Sequence, residues 1–112
     1  MDKDIAQIEP HITKYVGVIT KAYNTFMKGD DEHRTNMRQK FVDETDIVHG
    51  KKYTKLVING NAHSFIVNNE KDAAHPIGAV LRAKSANAPN RTKAVGSIFD
   101  AKFIAKGHWH GV

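Results

Sequence analysis

The chain has 112 residues, a hydrophobic fraction of 40%, a charged fraction of 26% and no cysteine. It is long enough for one core and too short for two, so a single domain is expected, with a helical part over 1–44 and a β-rich basic part over 51–112. Disulfides and thiolate metal sites are excluded, and the formal net charge of +5 is unevenly spread: residues 1–50 hold nine acids against seven bases, whereas 51–112 hold ten bases against three acids. Such asymmetry favours a polyanion or an acidic protein as partner.

In chain order, Met1-Asp-Lys-Asp-Ile5 lacks the basic start and apolar run of a signal peptide, and no segment is long and apolar enough to span a bilayer, so a cytoplasmic protein with no membrane partner is expected. Ile5, Ile8, Ile12, Tyr15, Val16, Ile19, Ala22, Tyr23 and Phe26 recur at steps of three and four, the spacing of one helical face. Because proline fits best in a first turn, Pro10 places the regular helix from about Glu9, ending at Gly29. Asp30 then caps a shorter helix through about Phe41, with Asp31 and Glu32 at its positive end and Arg38 and Lys40 at its negative end.

After Gly50 the period changes to two. Lys52–Ile58 and Asn61–Val67 are rich in β-branched and aromatic residues and flank Asn59-Gly60, a favoured hairpin turn. Alternation puts Tyr53, Lys55 and Val57 on one face and Thr54, Leu56 and Ile58 on the other, and leaves open which is inward. A polar connection over 68–76, a strand Ala79–Ala83, a loop Ser85–Thr92 and a strand Ala94–Phe99 follow; the tail after Asp100 has no clear period. Helices followed by hairpin-linked strands predict an α+β fold, an N-terminal amphipathic helix and a short second helix on a small antiparallel sheet or partial barrel.

The segment Lys52-Tyr-Thr-Lys-Leu-Val57, Gly60, His63-Ser-Phe-Ile66, Gly78-Ala-Val-Leu81, Lys84-Ser85, Ala88-Pro89, Lys93-Ala94 and Gly96-Ser-Ile-Phe-Asp100 resembles small uncharacterised proteins of tailed bacteriophages. The resemblance spans Lys51 to Asp100 and implies a phage accessory protein acting in the cytoplasm of the infected host. Two positions depart from that pattern: Ala86 stands where the family has Trp, and Val95 where it has Arg. Both losses remove groups suited to base stacking and phosphate contact.

From Ala73 to Phe99 there are four cations, Arg82, Lys84, Arg91 and Lys93, and no carboxylate. Lys84, Arg91 and Lys93 suit a phosphate backbone, with Ser85, Asn87, Asn90 and Thr92 as hydrogen-bonding neighbours. Lys51, Lys52, Lys55 and Arg82 extend the same surface if they share its face. The alternative is a solvated loop with scattered charge. Nucleophile elbow, phosphate loop and catalytic cysteine are missing from the sequence, so a non-enzymatic protein without a cofactor is expected. His63 beside Ser64 is not expected to form a dyad, because adjacent strand residues point to opposite faces. His108 and His110, flanking Trp109, offer a weaker metal alternative with His63, His75 or His49 as third ligand. The expected function is binding of nucleic acid or another anionic surface. Its competitors are inhibition of a host enzyme by direct contact and a place in the virion.

Overall fold

A computed structural model describes residues 2–69 and 75–106, with side chains from Ile5 onward. The order is α1 (Asp2–Phe26), α2 (Glu32–Asp43), β1 (Asp46–His49), β2 (Tyr53–Ile58), β3 (Asn61–Val67), β4 (Ala79–Ser85), β5 (Ala88–Ser97) and α3 (Ala101–Ala105). The strands form one open antiparallel sheet in the order β1-β2-β3-β4-β5. This is the expected α+β architecture, helices on an antiparallel sheet.

Helix α1 begins at Asp2 rather than near Glu9, and Pro10 lies inside it. Proline removes one backbone donor and crowds the carbonyl four residues earlier, at a cost of about 3 kcal/mol. Ile8 and Ile12, on either side of Pro10, are both fully buried. Each such burial is worth about 1.5–3 kcal/mol, so packing outweighs the local penalty and the helix continues. The stripe Ile8, Ile12, Tyr15, Ile19 and Tyr23 enters one cluster with Leu56, Ile58, Ile66 and Val80 of the sheet and Phe103 and Ile104 of α3. This decides the open question of β2: Thr54, Leu56 and Ile58 face the helix.

Past the end of α1, the Arg38 guanidinium donates to the Met27 and Gly29 carbonyls. Arg38 therefore serves the carbonyls just past the C-terminus of α1 rather than the end of its own helix. The cap of α2 is Asp31, not Asp30: its carboxylate accepts from Arg34 N at 3.1 Å. Phe41 is the buried anchor of α2, stacked on Tyr23 at 4.1 Å between ring centroids.

Strand β1 was not anticipated. It is four residues long, mostly exposed, and pairs Asp46 with Val57 through His49 with Thr54. A strand this short, with Asp46 and His49 at its two ends, is a common form of a protected sheet edge. The β2–β3 hairpin turns at Asn59 (φ 53°) and Gly60 (φ 81°), the pair of positive φ values a type I′ turn requires. The predicted loop Ser85–Thr92 is instead a two-residue turn at Ala86-Asn87 between β4 and β5. Asp100 caps α3, accepting from Lys102 N at 2.9 Å.

The sheet's other face carries a smaller cluster of Phe65, Val67, Ala79 and Leu81, flanked by Tyr53, Ala83 and Ala94. Lys55 Nζ crosses this face to donate to the Ala86 carbonyl at 3.1 Å. The hairpin tip thus curls over toward β2.

Candidate anion-binding surface

Pairing between β4 and β5 breaks at the basic residues. Leu81 is opposite Ala94 and Ala83 is opposite Pro89, so Arg82 alone faces the four residues Asn90, Arg91, Thr92 and Lys93. A bulge of this size leaves the ladder and re-aims its side chains. It is held internally by Thr92 N donating to Asn90 Oδ1 at 3.0 Å. On the outside His75 Nε2 lies 2.9 Å from the Arg91 carbonyl. Pro89 is tolerated because β5 is an edge strand and the ladder is already interrupted there.

The bulge and α3 enclose a hollow of about 530 Å³ lined by Arg82, Asn90, Thr92, Lys93 and Lys106 over a floor of Ala94, Val95 and Phe103. Among the described residues its lining contributes three cations and no carboxylate. Arg82 reaches it because Arg82 pairs with Ser64, which in turn pairs with Leu56 of the helix-facing set. The floor depends on Gly96: a Cβ there would collide with the edge of the Phe103 ring. Lys84, Asn90, Arg91 and Thr92 line an adjoining hollow of about 540 Å³; Asn90 and Thr92 belong to both. Arg82, Lys84, Lys93 and Lys106 have no carboxylate partner among the described residues.

The remaining candidates gather elsewhere. Lys51, Lys52, Lys55 and Asn87 line a separate cleft of about 220 Å³ between the β1–β2 turn and the hairpin tip. Lys55 pairs with Phe65 of the second face, opposite in sense to Arg82. The nine predicted residues therefore form two groups on the two faces of the sheet, meeting around the Ala86-Asn87 tip, rather than one flat patch. Lys106 was missed because nothing in its local sequence shows that α3 folds back onto β5.

Behind the floor, Phe103 meets Tyr15 at 5.5 Å and Tyr15 meets His63 at 6.0 Å between centroids. Contrary to the expectation from strand alternation, His63 Nδ1 lies 2.9 Å from Ser64 Oγ. The cause is the register shift between Leu56 and Val57, which makes His63 the extra residue of a bulge. Ser64 is fully buried, so the contact joins two core side chains and is not offered to solvent. The Tyr15 hydroxyl is buried without a hydrogen-bond partner among the described residues, and burial pushes its pKa well above the ordinary phenol value.

No three His, Asp or Glu side chains cluster at metal-binding range among the described residues. His108, Trp109 and His110 of the metal alternative lie outside those residues. None of the helices among the described residues is long and apolar enough to cross a membrane. No known protein family, curated protein or solved structure matches the chain.

Proposed function

We propose that this protein is a non-enzymatic accessory protein that binds nucleic acid through the basic β4–β5 arm. The observation that carries the reading is the bulge opposite Arg82, which sets Arg82, Lys93 and Lys106 around one hollow and Lys84 and Arg91 around the next, without a carboxylate in either lining among the described residues. Cations held apart on an irregular, exposed backbone suit successive phosphates, whose neutralisation releases counterions and supplies sequence-independent affinity. Among the described residues Phe103 is the sole aromatic in these linings and is itself buried, so the reading rests on phosphate contacts and not on base readout. The resemblance to small phage proteins makes the cytoplasm of an infected bacterium the proposed setting.

The test is fluorescence anisotropy with labelled single-stranded and duplex oligonucleotides at low salt. Micromolar binding that weakens steeply with salt is expected; no binding at low salt overturns the proposal. The same charge would also fit an acidic host protein. A pull-down from nuclease-treated host lysate separates the two readings: one stoichiometric protein surviving nuclease favours enzyme inhibition, whereas loss of all partners favours nucleic acid.

A further inference from the structure

The two hollows of the arm differ in how their cations are supplied. Lys84 and Arg91, both from the β4–β5 hairpin, line one. Arg82 from β4, Lys93 from the bulge and Lys106 from just past α3 line the other, so three separate parts of the fold each contribute a cation to it. All three side chains are exposed, and none has a hydrogen-bond or ion-pair partner among the described residues. The two polar side chains of this lining add donors. Asn90 Oδ1 already accepts from Thr92 N at 3.0 Å, which leaves the Asn90 NH2 and the Thr92 hydroxyl with hydrogen bonds still to make.

A phosphodiester inside a strand carries a single negative charge. A phosphate monoester at a strand end carries about −1.5 to −2 at pH 7 and offers three acceptor oxygens. Three cations with two further donors suit the monoester, whereas the two cations of the adjoining hollow suit a diester. The volume of about 530 Å³ falls within the roughly 300–1,000 Å³ of small-ligand sites, so a sugar fits beside the phosphate over the apolar floor of Ala94 and Val95. Lys106 makes the difference between the hollows, and its backbone is set by α3: Lys106 N donates to the Phe103 carbonyl at 3.3 Å, and Phe103 packs on Tyr15.

We infer that the hollow around Arg82, Lys93 and Lys106 is a subsite for the terminal phosphate monoester of a nucleic-acid strand, with Asn90 and Thr92 donating to its oxygens. The inference rests on the proposed nucleic-acid reading and adds a preference for phosphorylated ends. Asn90 and Thr92 line both hollows, so a strand seated by its end in the first continues directly into the second, where Lys84 and Arg91 take the next phosphate. Ammonium and guanidinium groups neutralise phosphate without reading sequence. The subsite therefore selects strand ends by charge and acceptor number, not by base identity.

The experiment measures the affinity of the full chain for internally labelled oligothymidylates that carry a 5′-phosphate, a 3′-phosphate or hydroxyls at both ends. A hydroxyl-ended strand about two nucleotides longer matches the total charge of the phosphorylated ones. One phosphorylated strand is expected to bind about tenfold tighter than either hydroxyl-ended strand, the worth of one added charge-assisted hydrogen bond, and which one does so gives the polarity. The preference should shrink as pH falls through the monoester's second pKa of about 6. Lys106→Gln is expected to bring the phosphorylated and hydroxyl-ended affinities together, whereas Lys84→Gln weakens all of them and keeps their ratio. A ratio that both variants reduce alike overturns the assignment to this hollow. Equal wild-type affinities for the charge-matched strands, with a steep salt dependence, overturn the subsite and leave the arm's phosphate binding standing. Binding of no strand overturns both. The charge-matched wild-type comparison decides the matter even if a variant folds poorly.

Discussion

Replacing Lys84, Arg91 and Lys93 together by glutamine tests the arm by its salt dependence. All three side chains are exposed, and Lys84 and Arg91 line one hollow while Lys93 lines the other. Each phosphate neutralised on a single strand contributes about −0.7 to the slope of log affinity against log salt. The five arm cations, Arg82, Lys84, Arg91, Lys93 and Lys106, therefore account for a slope of about −3.5. Between about 50 and 200 mM salt this corresponds to an affinity loss on the order of 100-fold. Losing three contacts reduces the slope by about 2, whatever the other cleft contributes, so the loss over the same salt range shrinks about 20-fold. Exposed substitutions of this kind change stability by no more than about 0.5 kcal/mol. The assay is anisotropy across a salt series with thermal melts of both proteins in parallel. An unchanged slope with an unchanged melt would refute the assignment of these cations to phosphate contact.

Gly96→Ala drives a methyl group into Phe103 and is expected to lower unfolding free energy by about 1–3 kcal/mol in urea titrations, together with weaker binding as the hollow's floor moves; an unshifted midpoint would count against the close approach. The Asp31 carboxyl is held below its usual pKa first by the backbone hydrogen bond from Arg34, so its stabilisation is present above its unfolded value of about 3.9 and lost as pH falls through the lower folded value. Asp31→Asn keeps a capping oxygen but removes the titration, so in melts over pH the wild type's advantage at neutral pH should vanish in acid; a constant difference would exclude this linkage. Tyr15→Phe removes an unpartnered buried hydroxyl and is expected to leave stability unchanged or raise it, since an unsatisfied buried group costs about 1–3 kcal/mol. The raised phenol pKa also makes the wild type, unlike the variant, lose stability above the unfolded value of about 10. A destabilisation beyond about 1 kcal/mol on Tyr15→Phe would mean that the hydroxyl is bonded.

What was legible in the sequence was what local chemistry decides. Asn59-Gly60 demands positive φ at two adjacent positions, and the hairpin follows at the expected residues. The α1 stripe was equally plain, because five of its residues share one buried face. Pro10 misled because its local preference for a first turn was outweighed by the burial of Ile8 and Ile12, which sequence alone does not rank. The four residues of β1 carry too little apolar pattern to register; their pairing with β2 is a tertiary fact. The site was half legible. Its cations could be named from composition, but the two bulges that direct them cannot be inferred from alternation, since a register shift exists only between strands. One bulge turns His63 inward onto Ser64 and the other turns Asn90–Lys93 out of the ladder opposite Arg82.

The two hollows on the arm differ in how strongly the core controls them. Lys84, Pro89, Asn90, Arg91 and Thr92 all belong to the hairpin, so their placement depends on the turn at Ala86-Asn87, the hydrogen bond inside the bulge and the contact of His75 with the Arg91 carbonyl. The hollow around Arg82 and Lys93 needs α3 as well, because α3 supplies Phe103, and Lys106 follows directly after it. Phe103 packs at once on Tyr15 of α1 and over Gly96 of β5, so the chain that sets the floor runs from the helix stripe through α3 to the bulged strand. Lys106 therefore joins Arg82 and Lys93 only when α3 is docked on the core. Disturbing that docking separates Lys106 from the arm without touching a charge, and the affinity lost would be that of one phosphate contact and the floor beneath it. The electrostatic surface is in this sense a property of the packed fold and not of the basic segment that first identifies it.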